Sequence, residues 1–282
     1  MVASLVVAAT VLGCTGSEQQ NTDPPPVITG PRDLPDHYRI HPSFTLTAGD
    51  LRALVAGQPA DIRHRIEKRP AVFLEAVKTL LTFPDPILRR VDKEHALPAD
   101  YVPADLRPLE AYTPPMVLNQ GGLSLREIIM PDLLAMVEAA RREGLTLDIS
   151  SSYRSYSYQD QLFSYWVGEL GLEEAERVSA RPGTSQHQLG TTLDFGSVTQ
   201  AFAEHPAGLW LAAHAGEFGF FFFFPQGYEE LTGYAFEPWH FRWISRTGTY
   251  VEAQFFGGIQ QRFLEFWQTA EPALRAACTT VS

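Results

Sequence analysis

The chain has 282 residues, of which 45% are hydrophobic and 20% are charged, and this composition is typical of a globular protein with one substantial core. Global disorder is therefore excluded. The formal net charge of −11 disfavours nucleic acid or anionic lipid as a direct partner, because both would repel such a surface. We expect a monomer that does not bind nucleic acid.

Residues 1–14 are apolar, end in small residues and are too short to span a bilayer as a mature helix, which predicts an export signal. Val11-Leu12-Gly13-Cys14 resembles the processing box of bacterial lipoproteins. The resemblance implies a lipid anchor on Cys14 and an exported protein in the periplasm or on the outer face of the envelope. A plain cleaved signal or a buried N-terminal strand is the alternative. No Lys or Arg precedes the apolar run, which leaves open that the true start codon lies upstream.

The chain contains two cysteines, Cys14 and Cys278, so the sequence predicts neither a disulfide framework nor a cysteine-type zinc site. If Cys14 is lipidated, Cys278 has no cysteine to pair with. If Cys14 stays unmodified, a bond between the two remains open.

Residues 15–40 are rich in Ser, Gln, Asn, Asp, Pro and Gly and predict a solvated linker. From Thr47 to Leu81, apolar residues recur at roughly helical spacing, which predicts two helices. Repeated prolines then predict an extended connection that lies along a folded surface. We group residues 41–115 as a helical appendage with its connection.

Residues 116–282 form the predicted main domain, in which helices and strands alternate. Hydrophobic spacing predicts helices over 131–142, 156–170, 206–216 and 251–277, and a short helical turn over 173–177. Strands are predicted over 145–150, 191–195, 220–224 and 234–244. We expect Leu162, Phe163 and Trp166 to point inward. The five successive Phe residues of 220–224 require cover on both faces of their strand.

The stretch from Ser185 to Asp194, together with Glu237-Pro238-Trp239-His240, carries the chemistry. His187, Asp194 and His240 offer two imidazoles and a carboxylate, a ligand set that suits Zn²⁺. Gly190 allows a tight backbone path, so His187 is expected on a loop and Asp194 on the next strand. Taken singly, each residue is more often structural. Their joint order and spacing favour a metal site.

These motifs also resemble a known family. Ser185-x-His187-x6-Asp194, followed by Glu237-x-x-His240, resembles the VanY-type D-Ala-D-Ala carboxypeptidases. These belong to a superfamily that includes lysostaphin and the hedgehog amino-terminal domain. The resemblance extends from about residue 80 to about residue 243. It implies an α+β fold, with a small antiparallel sheet flanked by helices and zinc in a cleft on the sheet. The predicted helical appendage precedes that fold.

Roles for individual residues follow from the resemblance. Glu237 would act as the general base and Arg154 would hold the scissile carbonyl oxygen. Ser185 and Gln159 would bind the peptide, with Ser185 a candidate for its terminal carboxylate. Two further residues flank the motifs, and we assign them to substrate binding with simple packing as the alternative: Tyr153 and Trp239.

The expected activity is removal of the terminal D-Ala from peptidoglycan stem peptides. An L,D-carboxypeptidase acting on tetrapeptide stems, an endopeptidase, and a non-enzymatic cell-wall-binding protein with a structural zinc are the alternatives. Glu237 favours an enzyme, because a binding module needs no base. The chain departs from the family pattern at Phe223, where Arg is frequent, and at Gln186, where Glu is frequent. Neither residue is a predicted metal ligand, so hydrolysis is still expected. The two departures weaken only the prediction of which substrate is cleaved.

Overall fold

The computed structural model of the chain describes residues 34–83, 87–112 and 116–280. The predicted export signal, with Cys14, and most of the predicted linker lie outside these residues. Among the helices that are described, none combines the length and the apolar character needed to cross a bilayer.

Helices and strands are mixed along the chain, which confirms the predicted α+β class with a helical N-terminal region. The helices are α1 (Ala48–Val55), α2 (Ala60–Lys68), α3 (Pro70–Leu80), α4 (Met130–Arg142), α5 (Tyr156–Leu170), α6 (Leu172–Val178), α7 (Pro206–His214), α8 (Glu229–Thr232), α9 (Arg246–Phe255) and α10 (Gln260–Ala277). The strands are β1 (Leu106–Pro108), β2 (Val117–Leu118), β3 (Ser124–Arg126), β4 (Asp148–Ser151), β5 (Thr192–Phe195), β6 (Phe220–Phe222) and β7 (His240–Trp243).

The main sheet is small and mostly antiparallel. Its strand order is β2-β4-β5-β7-β6, and only the edge pair β2 and β4 runs parallel. Strands β1 and β3 form a separate antiparallel pair. All four residues of β5 are buried, so this central strand is covered on both faces. The middle of the sheet is therefore a rigid platform for side chains that must hold one geometry.

The phenylalanine run forms a strand over only part of its predicted length. Strand β6 ends at Phe222, and the chain then leaves the edge of the sheet. Phe220, Phe223 and Phe224 are buried, whereas Phe221 and Phe222 are half-buried. The ring of Phe224 lies 4.7 Å from that of His240, centroid to centroid. Leaving the strand thus carries one phenylalanine to the predicted metal site.

The appendage contains three helices where two were predicted. Thr47 and Asp50 cap α1 reciprocally, through a side chain and a backbone amide each. Pro59 precedes α2, and Pro70 occupies the first turn of α3. Proline has no amide hydrogen to donate and fits best at a helix start, so Pro70 divides the apolar pattern into separate helices.

The appendage shares its hydrophobic core with the rest of the chain. Phe73 on α3 is fully buried and meets Phe255 of α9 and Phe266 of α10 edge to face, at centroid distances of 5.2 and 5.9 Å. Rings at such distances attract each other beyond the effect of burial. One hydrophobic core therefore includes residues from both sides of the predicted boundary between residues 115 and 116. The domain boundary itself stays a prediction.

The C-terminal region is two helices, and the single helix predicted over 251–277 is wrong. Helix α9 begins earlier than predicted, at Arg246, and ends at Phe255. Gly257 and Gly258 follow with φ of +71° and +73°, in the left-handed region that glycine adopts without strain. The chain reverses there and α10 packs back over the core.

Candidate metal centre

His187 lies in a 3₁₀ turn, Gln186–Leu189, that connects to the central strand β5. Gly190 ends this turn with φ +71°, and a Cβ there would lie 3.0 Å from Arg126 Cγ. The side chain of His187 is buried, and its Nδ1 lies 2.6 Å from the carbonyl oxygen of Ser152. Because a carbonyl can only accept, Nδ1 carries the proton and Nε2 is left with a free lone pair.

Asp194 and His240 are brought together by strand pairing. They are direct partners in the register of β5 and β7. Asp194 Oδ1 lies 3.3 Å from His187 Nε2 and 3.3 Å from His240 Nδ1. One ligand atom from each of the three residues lies within 4.8 Å of the others. The predicted convergence of His187, Asp194 and His240 is therefore confirmed as a possible metal site.

Two buried atoms of this cluster show that the residues fit a cation. His187 Nε2 and Asp194 Oδ1 are inaccessible to solvent and have no hydrogen-bond partner among the described residues. Buried polar atoms are nearly always paired, so orphaned atoms that face one another need an explanation. Two nitrogens and one carboxylate oxygen are donors that suit Zn²⁺ and leave a fourth position open.

The protonation states also suit a cation. Burial, aided by the charge of Arg154, lowers the pKa of His187 to about 4, and burial lowers that of His240. Both imidazoles are thus neutral at pH 7, as ligands must be. Burial alone would raise the pKa of Asp194, but His187, His240 and Arg154 outweigh burial and hold that pKa well below its usual range.

Glu237 lies in the turn before β7. The prediction of a strand over Tyr234–Glu237 is wrong, because Pro238 cannot donate to a ladder and β7 begins only at His240. Glu237 Oε2 lies 3.4 Å from His240 Nδ1. Burial, then the charge of Asp194, raises the pKa of Glu237 to about 8, and Arg154 opposes this shift. A bound dication would lower it again, because a nearby positive charge favours the ionised form.

Arg154 approaches the same cluster from the segment between β4 and α5. Its Nη2 lies 3.4 Å from Asp194 Oδ2, and its Nη1 donates to Gln159 Oε1 at 3.1 Å. The Nε atom of Arg154 is buried and has no acceptor among the described residues. Other atoms of the same side chain line the adjoining cleft.

The centre opens into a cleft of about 260 Å³. Ser185 and Trp239 line it, as expected for residues assigned to substrate binding. Gln159 and Tyr153 are not among the residues that line it, and their role in substrate binding stays a prediction. Gln159 is buried, with Nε2 donating to Ala180 O at 2.8 Å and Oε1 accepting from Arg154. Its amide therefore holds Arg154, and both polar atoms of the amide already have a partner in the protein.

Sequence reasoning missed the apolar side of the cleft. Tyr158, Leu162 and Trp166 occur at four-residue intervals on α5 and line the cleft together. Leu162 and Trp166 were predicted to point into the core, but only Phe163 of that group is buried. The shared helix face of Tyr158, Leu162 and Trp166 was the available signal, since residues four apart lie on one face.

Fold and site together define a class of protein: an α+β domain with a buried His-His-Asp centre in a cleft of its sheet and a carboxylate beside it. Residues 122–246 match the family model of the D-alanyl-D-alanine carboxypeptidase VanY, and this segment contains every predicted site residue. This part of the chain is therefore similar to the VanY family.

Known proteins similar to the chain agree with that assignment. YodJ of Bacillus subtilis, whose carboxypeptidase name is provisional, is 32% identical over 183 residues, which are 60% of this chain and 63% of YodJ. The L,D-carboxypeptidase LdcB matches 64% of this chain and 84% of its own, with a TM-score of 0.55 and 28% identity. A variant of the D,D-pentapeptidase VanY in complex with Zn(II) matches 63% and 98%, with a TM-score of 0.53 and 26% identity.

Proposed function

We propose that the protein is a zinc-dependent D,D-carboxypeptidase that removes the terminal D-Ala from peptidoglycan stem peptides. The observation that carries this proposal is the position of Glu237, 3.4 Å from His240 and facing the same cleft as the buried cluster. A structural metal site has no need of a buried carboxylate next to a ligand. The alternative of a non-enzymatic wall-binding protein is disfavoured for that reason.

His187 Nε2, His240 Nδ1 and Asp194 would hold the ion. Zn²⁺ would supply a Lewis acid that lowers the pKa of a water toward about 7. Glu237 Oε2 would accept the proton of the attacking water and later deliver it to the departing amine. The guanidinium of Arg154, which lines the cleft, would donate to the scissile carbonyl oxygen as that oxygen gains negative charge.

The charges of the cleft suit a peptide with a free terminal carboxylate. Arg154 is the only Lys or Arg among the described residues that line it, facing the carboxylates of Asp194 and Glu237. With a dication bound, the net charge of this set would be positive even with both carboxylates ionised, which favours an anion. Ser185, which is buried and lines the cleft, would donate its hydroxyl to that terminal carboxylate.

Tyr158, Leu162 and Trp166 would cover the aliphatic part of the stem peptide, because apolar surface binds apolar chain without requiring hydrogen bonds. L,D-carboxypeptidase activity on tetrapeptide stems is the second candidate. It is favoured by the similarity to LdcB, whose TM-score of 0.55 is close to the 0.53 of the VanY variant.

Cellular location and attachment remain part of the proposal. The lipoprotein-like box at Cys14 supports export and a lipid anchor, which would keep the enzyme close to the cell wall. Residues 15–40 would act as the spacer.

Purified protein loaded with zinc and incubated with defined penta- and tetrapeptide stems tests the function. Release of D-Ala from the pentapeptide supports the D,D assignment, and release from the tetrapeptide alone supports the L,D assignment. If neither peptide loses D-Ala while the protein retains zinc, both assignments are wrong and the wall-binding alternative is favoured.

A further inference from the structure

Part of the predicted extended connection contacts the turn that carries His187. We call residues 87–101 the connecting segment and residues 183–190 the metal loop. The backbone amide of Leu97 donates to Gly183 O at 2.8 Å. Gln188 Nε2 donates to Pro98 O at 3.0 Å and to Tyr101 O at 3.2 Å. The metal loop is thus attached to the connecting segment at both of its ends.

The middle attachment differs because it also reaches a predicted metal ligand. Gln186 is buried, and its Nε2 donates to Val91 O at 3.3 Å. That contact fixes which way the amide points, since only the nitrogen can donate to a carbonyl. Oε1 of Gln186 then lies 3.3 Å from His240 Nε2. An amide oxygen can only accept, so His240 must carry its proton on Nε2.

The tautomer matters for the metal. With the proton on Nε2, the lone pair of His240 lies on Nδ1, which is 3.3 Å from Asp194 Oδ1. His187 is arranged in the opposite sense, with Nδ1 donating to Ser152 O and Nε2 facing Asp194. The two ligands therefore use different ring nitrogens, and each is oriented by an acceptor on its far side.

We propose that Gln186 is a positioning residue for the metal centre. Gln186 sets the tautomer and the ring orientation of His240, and Val91 of the connecting segment holds Gln186 in place. The proposal rests on the metal site of the proposed function and extends it. The proposal also gives the connecting segment, residues 87–101, a defined role: it supports the metal loop from the side away from the cluster's ligand atoms.

A second contact holds the connecting segment in place. Arg242 follows His240 by two residues on β7, so both side chains point to the same side of the sheet. Arg242 is fully buried, and its Nη2 donates to Ile87 O at 3.0 Å and to Arg89 O at 2.7 Å. Strand β7 and the metal loop thus both donate hydrogen bonds to the connecting segment, at residues 87, 89 and 91.

The test compares Gln186→Met with Gln188→Met. Each substitution removes one buried amide that donates to the connecting segment, but only Gln186 contacts a ligand. Zinc affinity, measured by competition with a chromogenic chelator, should fall about tenfold or more for Gln186→Met and change less than about threefold for Gln188→Met. The Tm of the metal-free protein should fall in both variants. Equal zinc affinities in the two variants would overturn the proposal.

Gln186→Glu separates orientation from general packing. A carboxylate still accepts from His240 Nε2, more strongly than an amide, but cannot donate to Val91 O. Its zinc affinity should equal or exceed that of the unsubstituted protein, although its metal-free Tm should be lower. Zinc binding as weak as that of Gln186→Met would refute the orienting role.

Failure of this inference is distinguishable from failure of the proposed function. If the unsubstituted protein binds zinc and releases D-Ala, but Gln186→Met binds zinc equally well, only the role of Gln186 is refuted. If the unsubstituted protein binds no zinc, the proposed function is refuted and the inference with it.

Discussion

The metal centre and the helical end of the core bury different kinds of side chain. Around the centre, the fully buried residues include His187, Gln188 and Thr192, and several of their polar atoms have no partner among the described residues. Around Phe73, the buried residues are mainly aromatic and aliphatic. The first region is costly to fold and holds one geometry, whereas the second supplies the burial that stabilises it.

Substitutions in the two regions should therefore have different effects. Those at the metal centre should lower turnover, and those in the core around Phe73 should lower the free energy of unfolding. Glu237→Gln should lower kcat by about 10²- to 10⁴-fold, because the amide cannot accept the proton of the water. Zinc affinity should be retained, since Glu237 is not a predicted ligand. Stem-peptide turnover and chelator competition measure both quantities.

Glu230→Gln is the matched control for Glu237→Gln, because Glu230 is exposed on the short helix α8. Its turnover should equal that of the unsubstituted protein. Full turnover by Glu237→Gln would show that another group is the base.

Phe73→Ala should produce the opposite pattern. Loss of a fully buried ring that contacts Phe255 and Phe266 should lower the free energy of unfolding by about 3–5 kcal/mol. Zinc affinity of the folded protein should be unchanged. Urea denaturation measures the first quantity, with the more exposed Val72→Ala as control. A loss of zinc affinity without loss of stability would contradict the division between the two regions.

Glu252 is the exception within the apolar region. It is buried on α9, and burial raises its pKa well above the usual 4.5, with only Gln260 opposing. A raised pKa means that the folded state favours the protonated form. Its contribution to stability is therefore complete below pH 4.5 and is lost as the pH rises through the folded pKa.

Glu252→Gln removes this loss, because the amide does not ionise. The variant should gain stability relative to the unsubstituted protein above pH 4.5, by up to about 1.4 kcal/mol per pH unit until the folded pKa is passed. Urea denaturation at pH 5, 7 and 9 measures the difference. The exposed Glu173→Gln should show no such trend. A pH-independent difference for Glu252→Gln would contradict the buried, protonated carboxyl.

Trp166→Ala should have the smallest effect. Removing one apolar surface of the cleft should raise KM about threefold to tenfold and leave kcat unchanged, because the ring contacts the substrate equally before and during reaction. Leu170→Ala, on the same helix but more exposed, is the control. A fall in kcat instead would place Trp166 next to the reacting atoms.

Local signals in the sequence predicted much of this structure. Helix α5 has the bounds that were predicted, because Ser155 caps its start and Gly171, at φ +78°, ends it. The three-residue cluster could be predicted because histidine and carboxylate in that order and spacing favour a metal site. The distances in the structure confirm that His187, Asp194 and His240 converge.

The remaining features depend on contacts between distant parts of the chain. Gln186 and Val91 are 95 residues apart, and no local pattern marks their hydrogen bond. Gln159 was assigned to peptide binding from the family resemblance, but its amide is bonded to Arg154 and Ala180. Residues 234–237 were predicted as part of a strand bent at Pro238, but the strand begins only after this proline, at His240.

The position of a bound zinc ion tests the central claim most directly. An anomalous difference map, collected at the zinc absorption edge from crystals of the zinc-loaded protein, should show a peak about 2.0–2.2 Å from His187 Nε2, His240 Nδ1 and a carboxylate oxygen of Asp194. Glu237 should lie beside this peak without binding it. A peak at other residues, or no peak between these three side chains, would contradict the account.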